Sequence, residues 1–195
     1  DVKIMAAPTH AASNPIAILP NCAATRHAPF TLAGTGAHVI ASLPHGPQPL
    51  ALVPIRFGNL ARPRDFEALL QTARTIGDAA RGQIALEIIE VPREILASRL
   101  ADIAMRFAAL VRSVAFELPT ADPAFAALLP ASTRLATIPA GLLQDAKGAL
   151  APAAGRLAET LKSRQCRLIV KEVAAAADLP ALKAAGIRMI AGATA

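Results

Sequence analysis

Residues 84–91 read IALEIIEV: two glutamates, Glu87 and Glu90, stand in a run that is otherwise aliphatic. Such a run reads as a buried strand. Burying a carboxylate is costly unless something pairs with it. The stretch therefore poses two questions, what fold surrounds this strand and what its glutamates do.

Outward from it, strand and helix patterns alternate. Upstream, RPRDFEALLQTARTIGDAARG (62–82) predicts a helix, with Phe66, Leu69, Leu70, Ala73 and Ile76 at helical spacing, Asp65 and Glu67 in the first turn and Gly82 as the stop. Downstream, PREILASRLADIAMRFAALVRS (92–113) carries the clearest helical period, Leu96, Leu100, Ile103, Phe107 and Leu110, with Pro92 ahead of it and Glu94 in the first turn. VAFEL (114–118) predicts a strand, and DPAFAALL (122–129) a short helix capped by Asp122 with Pro123 behind it. TRLATI (133–138) is a short strand; residues 142–165 are helical but broken near Pro152, which cannot donate the helix hydrogen bond. CRLIVKEV (166–173) is a strand, ADLPALKAAG (177–186) a helix ending at Gly186, and IRMIAG (187–192) a last strand.

Nearer the start, HVIASL (38–43) and PLALVPIRF (49–57) are extended runs separated by PHGPQ, a turn-rich stretch, and read as a hairpin. Residues 1–35 show Pro, Ala, Ser and Asn without period and read as an irregular tail or linker, with the domain proper over 36–195. The alternation predicts parallel βα units and a TIM-type (β/α) barrel. Six or seven strands are countable, whereas a full eight-fold barrel usually takes about 250 residues. The barrel is thus expected to be incomplete or modified at its N-terminal strands.

The chain has 195 residues, 54% of them hydrophobic and many of those alanine, with six Phe and no Trp or Tyr. Small and aliphatic side chains suit helices docked closely on a sheet. Cys22 and Cys166 do not make a disulfide framework, which predicts a reducing, cytoplasmic setting. The net charge of +6 is scattered among acids and is not interleaved with aromatics, which argues against a nucleic-acid partner. No apolar stretch reaches the roughly 18 residues of a membrane span. The start lacks a signal-peptide pattern, and since it begins at Asp1 a longer parent chain is expected.

From about residue 51 onward the chain resembles the EAL domain, the family of cyclic di-GMP phosphodiesterases. RPRDFEALL resembles the helix after the family's VNLS strand, and LEIIE its LEITE. VRSVAFELPTADPAFAALLP is similar to the stretch holding LALDDFGTGYSSLSYL, and LATIPAGLL sits where LKIDRSFV would be. LIVKEVAAAADLPALKAAGIRMIAG tracks VVAEGVETEEQLALLRELGCDYVQG. The first 50 residues lack the strand carrying the name-giving Glu-Ala-Leu.

The resemblance implies a barrel whose site lies at the C-terminal strand ends, where two metal ions on several carboxylates and one Asn activate a water against a phosphodiester. Hard divalent ions need multiple oxygen ligands. Carried over, the name-giving Glu has no counterpart and the Asn falls on Ile55. The first Glu of LEITE is retained as Glu87. The paired Asp fall on Pro119 and Thr120, the Lys of KID on Ala136, and the first Glu of EGVE on Lys171. The Gln before the final Gly falls on Ala191, with Gly192 kept. A single retained carboxylate does not hold two divalent ions. The resemblance therefore implies the fold without the activity, and no cofactor or metal.

Period two along each strand puts Glu87, Glu117 and Lys171 on one face. If that face lines the barrel, the three form a charged group in its mouth with Lys171 neutralising the glutamates; in another register one or more faces solvent. Glu90, at the strand end, reads as a solvated charge. His10, His27, His38, His45 and Cys22 show no recognised zinc spacing, and LAGTG (32–36) lacks the preceding strand a phosphate loop needs. No Ser-His-Asp grouping is present, and Cys166 reads as core.

The expectation is a catalytically inactive EAL-like domain acting as a regulatory or protein-interaction module in bacterial signalling. Its partner would be another protein or upstream signalling domains, and a homodimer is also open. The alternatives are a receptor that binds cyclic di-GMP without cutting it, and an unrelated βα-barrel enzyme working with Glu87, Glu117 and Lys171.

Overall fold

The computed structural model describes residues 16–18, 50–76, 81–145, 152–173, 178–187 and 189–190. They form a seven-stranded, all-parallel sheet whose spatial order follows the chain. The strands are β1 (Ile16–Ile18), β2 (Leu50–Arg56), β3 (Ile84–Ile89), β4 (Ser113–Glu117), β5 (Leu135–Pro139), β6 (Arg167–Lys171) and β7 (Met189–Ile190). The helices are α1 (Phe57–Ala61), α2 (Pro63–Arg74), α3 (Ala97–Phe107), α4 (Pro123–Leu128), α5 (Pro152–Ser163) and α6 (Asp178–Ala184), with a 3-10 turn at Ala140–Leu143. Sequential parallel order with helices in the crossovers is the winding of a (β/α) barrel. Among the described residues no strand pairing joins β7 to β1.

The pleat sorts side chains into two layers. Ala51, Val53, Ile55, Ile84, Leu86, Ile88, Val114, Phe116, Ala136, Ile138, Leu168 and Val170 face the helices and share one core with them. Leu52, Ala85, Ala115, Leu135 and Ile169 pack together on the opposite, inner face, with Met189 against them. Because both faces are covered, every residue of β3 is buried. The helices contribute single stripes: Phe66, Leu69, Leu70 and Ala73 from α2, and Leu100, Ile103, Ala104 and Phe107 from α3. Burying each large member of these stripes stabilises the fold by about 1.5–3 kcal/mol.

Several local expectations meet their structural reasons here. Asp122 caps α4, its Oδ1 accepting from the Ala124 N–H at 2.9 Å. Gly186, just past α6, adopts φ +81°, the left-handed turn that ends a helix at low cost for glycine. The long helix begins at Ala97, so Pro92 and Glu94 lie in the irregular approach and not in its first turn. A short helix, α1, precedes the predicted one, which runs as α2 from Pro63 to Arg74; Arg81 is again helical and Gly82 begins a turn, as the stop reading expects.

The hairpin reading fails. PLALVPIRF forms β2, whose two edges are taken by parallel partners, β1 and β3. Its proposed mate, HVIASL, lies outside the described residues. Residues 16–18, read as part of an irregular tail, instead form β1. No helix among the described residues is long and apolar enough to cross a membrane.

Candidate functional site

The inner face changes character along the strands. Its apolar layer is followed, toward the strand C-termini, by Glu87 on β3, Glu117 on β4, Thr137 on β5 and Lys171 on β6. Each stands two residues beyond an apolar inner-face residue: Ala85, Ala115, Leu135 and Ile169. Period-two alternation alone puts all four on that face.

The structure brings them together. Lys171 Nζ lies 2.6 Å from Glu87 Oε1 and 2.7 Å from Glu117 Oε2. Thr137 Oγ1 donates to the same Glu87 Oε1 at 2.5 Å. The Glu90 N–H donates to Glu117 Oε1 at 3.3 Å. Glu87 is 1% exposed, so its charge is satisfied from within the protein. β3 and β6 are three inter-strand steps apart, about 14 Å along a flat sheet. Contact between their side chains across the inner face requires the curvature of a barrel wall.

Burial alone would push the Lys171 ammonium toward neutrality, but the Glu87 and Glu117 carboxylates outweigh it and hold its pKa above the ordinary lysine value. Lys171 is therefore charged at neutral pH, a cation fixed between two carboxylates.

Glu90 stands apart from the cluster, exposed at the strand end, with Arg56 Nε 3.3 Å from its Oε1. Its φ of +58° is left-handed, which turns the chain sharply out of β3 and aims its N–H at Glu117. Glu172, the residue after Lys171, makes the same kind of turn at φ +59°. β6 thus turns at the residue after Lys171, and β3 at the residue after its last strand position, Ile89.

Four carried-over positions need correcting, two because of strand sidedness and two because they lie past a strand end. Ile55 and Ala136 belong to the helix-facing core, at 1% and 0% exposure, and do not line the mouth. Their inner-face neighbours are Arg56 and Thr137. Pro119 and Thr120 lie past the end of β4; the inner-face carboxylate of that strand is Glu117, two residues earlier. The sequence reading missed Thr137 and Arg56. Counting by twos from Leu135 would have found the threonine.

Among the described residues no three of His, Cys, Asp and Glu gather where a metal ion could be held. The chemistry of the donor set points the same way. Hard divalent ions take about six or more oxygen ligands, and here both inner-face carboxylates are already bonded to one ammonium. Among the described residues the donor set does not fit a two-ion centre. The four histidines, Cys22, the LAGTG stretch, Ala191 and Gly192 lie outside the described residues. Cys166 is buried, and burial raises its thiol to about 11 against the opposing pull of Arg164 and Arg134.

No family model matches the chain, and a search of curated proteins found no match. Solved structures do resemble it. The EAL-domain protein from Listeria monocytogenes EGD-e superposes with a TM-score of 0.59 at 14% identity, over 82% of this chain and 63% of that one. The Xanthomonas citri FimX EAL domain, solved in complex with c-diGMP, gives 0.60 at 15% identity over 83% and 64%. A FimX EAL domain gives 0.61 at 14% identity over 97% of this chain and 85% of that one. This chain therefore spans less than two thirds of the Listeria and Xanthomonas structures. At such identities the likeness concerns the backbone, and it agrees with the sheet order and inner-face layering above: the chain has the fold of EAL domains.

Proposed function

We propose that this domain is a catalytically inactive EAL-like module that acts in cyclic di-GMP signalling by regulating or binding another protein. The observation that carries the reading is the double ion pair of Lys171 with Glu87 and Glu117. A phosphodiester-cleaving site built on metal ions needs its carboxylates for those ions. Here they are neutralised by a side chain that cannot activate a water as a metal does. Glu87 and Glu117 are taken up by Lys171 and Glu90 by Arg56, so these charges satisfy one another and present no cation left over for a dinucleotide phosphate, which favours a protein partner over the nucleotide. The reading as an unrelated enzyme is weaker, since Glu87 is 1% exposed and both carboxylates are engaged.

Two measurements test it. Incubation of the protein with cyclic di-GMP and Mg²⁺ or Mn²⁺ is expected to leave the nucleotide intact, and titration calorimetry to give no heat of binding. Hydrolysis would overturn the inactive reading, and micromolar binding would replace the protein-partner reading with that of a nucleotide receptor.

A further inference from the structure

We infer that the Lys171 ammonium is a built-in substitute for a divalent ion, so that the geometry of the barrel mouth does not depend on any free cation. The inference deepens the reading of the mouth as non-catalytic and rests on it. Its basis is the position of the ammonium, which bonds two carboxylates on different strands that would otherwise repel each other.

The distances make the substitution physically close. The ammonium sits 2.6 and 2.7 Å from oxygens of Glu87 and Glu117, little longer than the roughly 2.3–2.6 Å of a calcium–oxygen bond. It bonds carboxylates from β3 and β4 while anchored on β6, so one side chain ties three strands across the inner face. A divalent ion bridging the same two carboxylates would do the same, but only while bound. The lysine is covalently part of the strand and cannot dissociate. It also brings one positive charge, leaving the three-residue group at a net −1 instead of the −2 of an empty pair. Thr137 Oγ1 on Glu87 and the Glu90 N–H on Glu117 share that remaining charge. Each of these contacts is internal to the chain, and none needs an ion from solution.

The consequence is a module whose fold is indifferent to chelators, with a cation site that removal of Lys171 uncovers. The test uses the whole chain and Mn²⁺ as the probe, read by loss of the free-ion paramagnetic signal and by the melting temperature with and without Mn²⁺ or EDTA. The wild type is expected to leave the Mn²⁺ signal unchanged and to melt at one temperature in both solutions. Lys171→Glu is expected to bind Mn²⁺ about tenfold or more tightly than the wild type and to melt higher when Mn²⁺ is present. The Glu87→Gln change in that background is expected to abolish both effects. Should Lys171→Glu not fold without metal, Lys171→Gln, close in size and uncharged, supplies the same comparison.

Mn²⁺ binding by the wild type that Glu87→Gln removes would overturn the inference. So would a folded Lys171→Glu and a folded Lys171→Gln that both ignore Mn²⁺. Failure of the functional reading shows separately, as nucleotide hydrolysis or binding by the wild type, neither of which this experiment measures.

Discussion

Lys171 Nζ and Glu87 Oε1 lie 2.6 Å apart although their strands, β6 and β3, have two others between them. The pair spans the inner face of the curved sheet, and the buried Glu87 has no solvent to fall back on. Removing the lysine leaves a carboxylate uncompensated. Lys171→Met should therefore destabilise the fold by about 3 kcal/mol, the lower end for broken buried pairs because the lysine is not fully enclosed. In a domain of this size that lowers the melting temperature by roughly 6–12 °C. Adding Glu87→Gln should recover part of the loss. Thermal denaturation of the two variants checks this, and an unchanged melting temperature for Lys171→Met would contradict it.

Thr137 is the neutral partner of the same carboxylate. Its hydroxyl donates to Glu87 Oε1, and Thr137 is wholly buried. Thr137→Val keeps the shape and removes the donor. A hydrogen bond to a charged group contributes about 1.5–3 kcal/mol, and urea denaturation should show a loss in that range with the slope unchanged. In the Lys171→Met, Glu87→Gln background the loss should shrink, since the acceptor no longer carries charge.

Alkaline stability follows from the direction in which Lys171 is shifted. Its folded-state value is raised by the neighbouring carboxylates against the effect of burial. The ion pairs therefore contribute fully below the unfolded lysine value of about 10.4, and that contribution is lost as pH rises through the folded value. Cys166, raised to about 11, erodes stability in the same direction from about pH 9 upward, because the unfolded thiol ionises first. Denaturation series from pH 8 to pH 11 on the wild type, Lys171→Met and Cys166→Ala separate the two. Each variant should show a flatter fall than the wild type.

Cys166 gives a chemical counterpart. A thiol that is buried and held protonated lacks the thiolate that reacts. Alkylation at pH 8, followed by peptide mapping, should modify Cys166 about 100-fold more slowly in the native protein than in denaturant, since access requires opening of the core. Equal rates would contradict the burial of the α5–β6 junction.

Much of this was legible in the sequence because periodicity survives divergence. The stripe of Leu100, Ile103 and Phe107 and the unbroken IALEII declare a helix and a doubly covered strand whatever the family. Glu87, Glu117 and Lys171 were found by counting in twos along their strands. What was illegible involved either register or partners far away in sequence. Matching short motifs across so much divergence slips by one or two residues, and one residue moves a side chain to the other face. Ile55 and Ala136, onto which family site positions were carried, face the helices, while Arg56 and Thr137 beside them face inward. The parallel partners of β2 were equally hidden, because a hairpin and a crossover start from the same extended run.

In the proposed function the mouth's carboxylates serve a lysine and not a metal-activated water. The most direct test is to incubate the wild-type chain with cyclic di-GMP and Mn²⁺ and follow formation of the linear dinucleotide by chromatography. No conversion above an enzyme-free control is expected. Mn²⁺-dependent conversion that disappears in Glu87→Gln would contradict it.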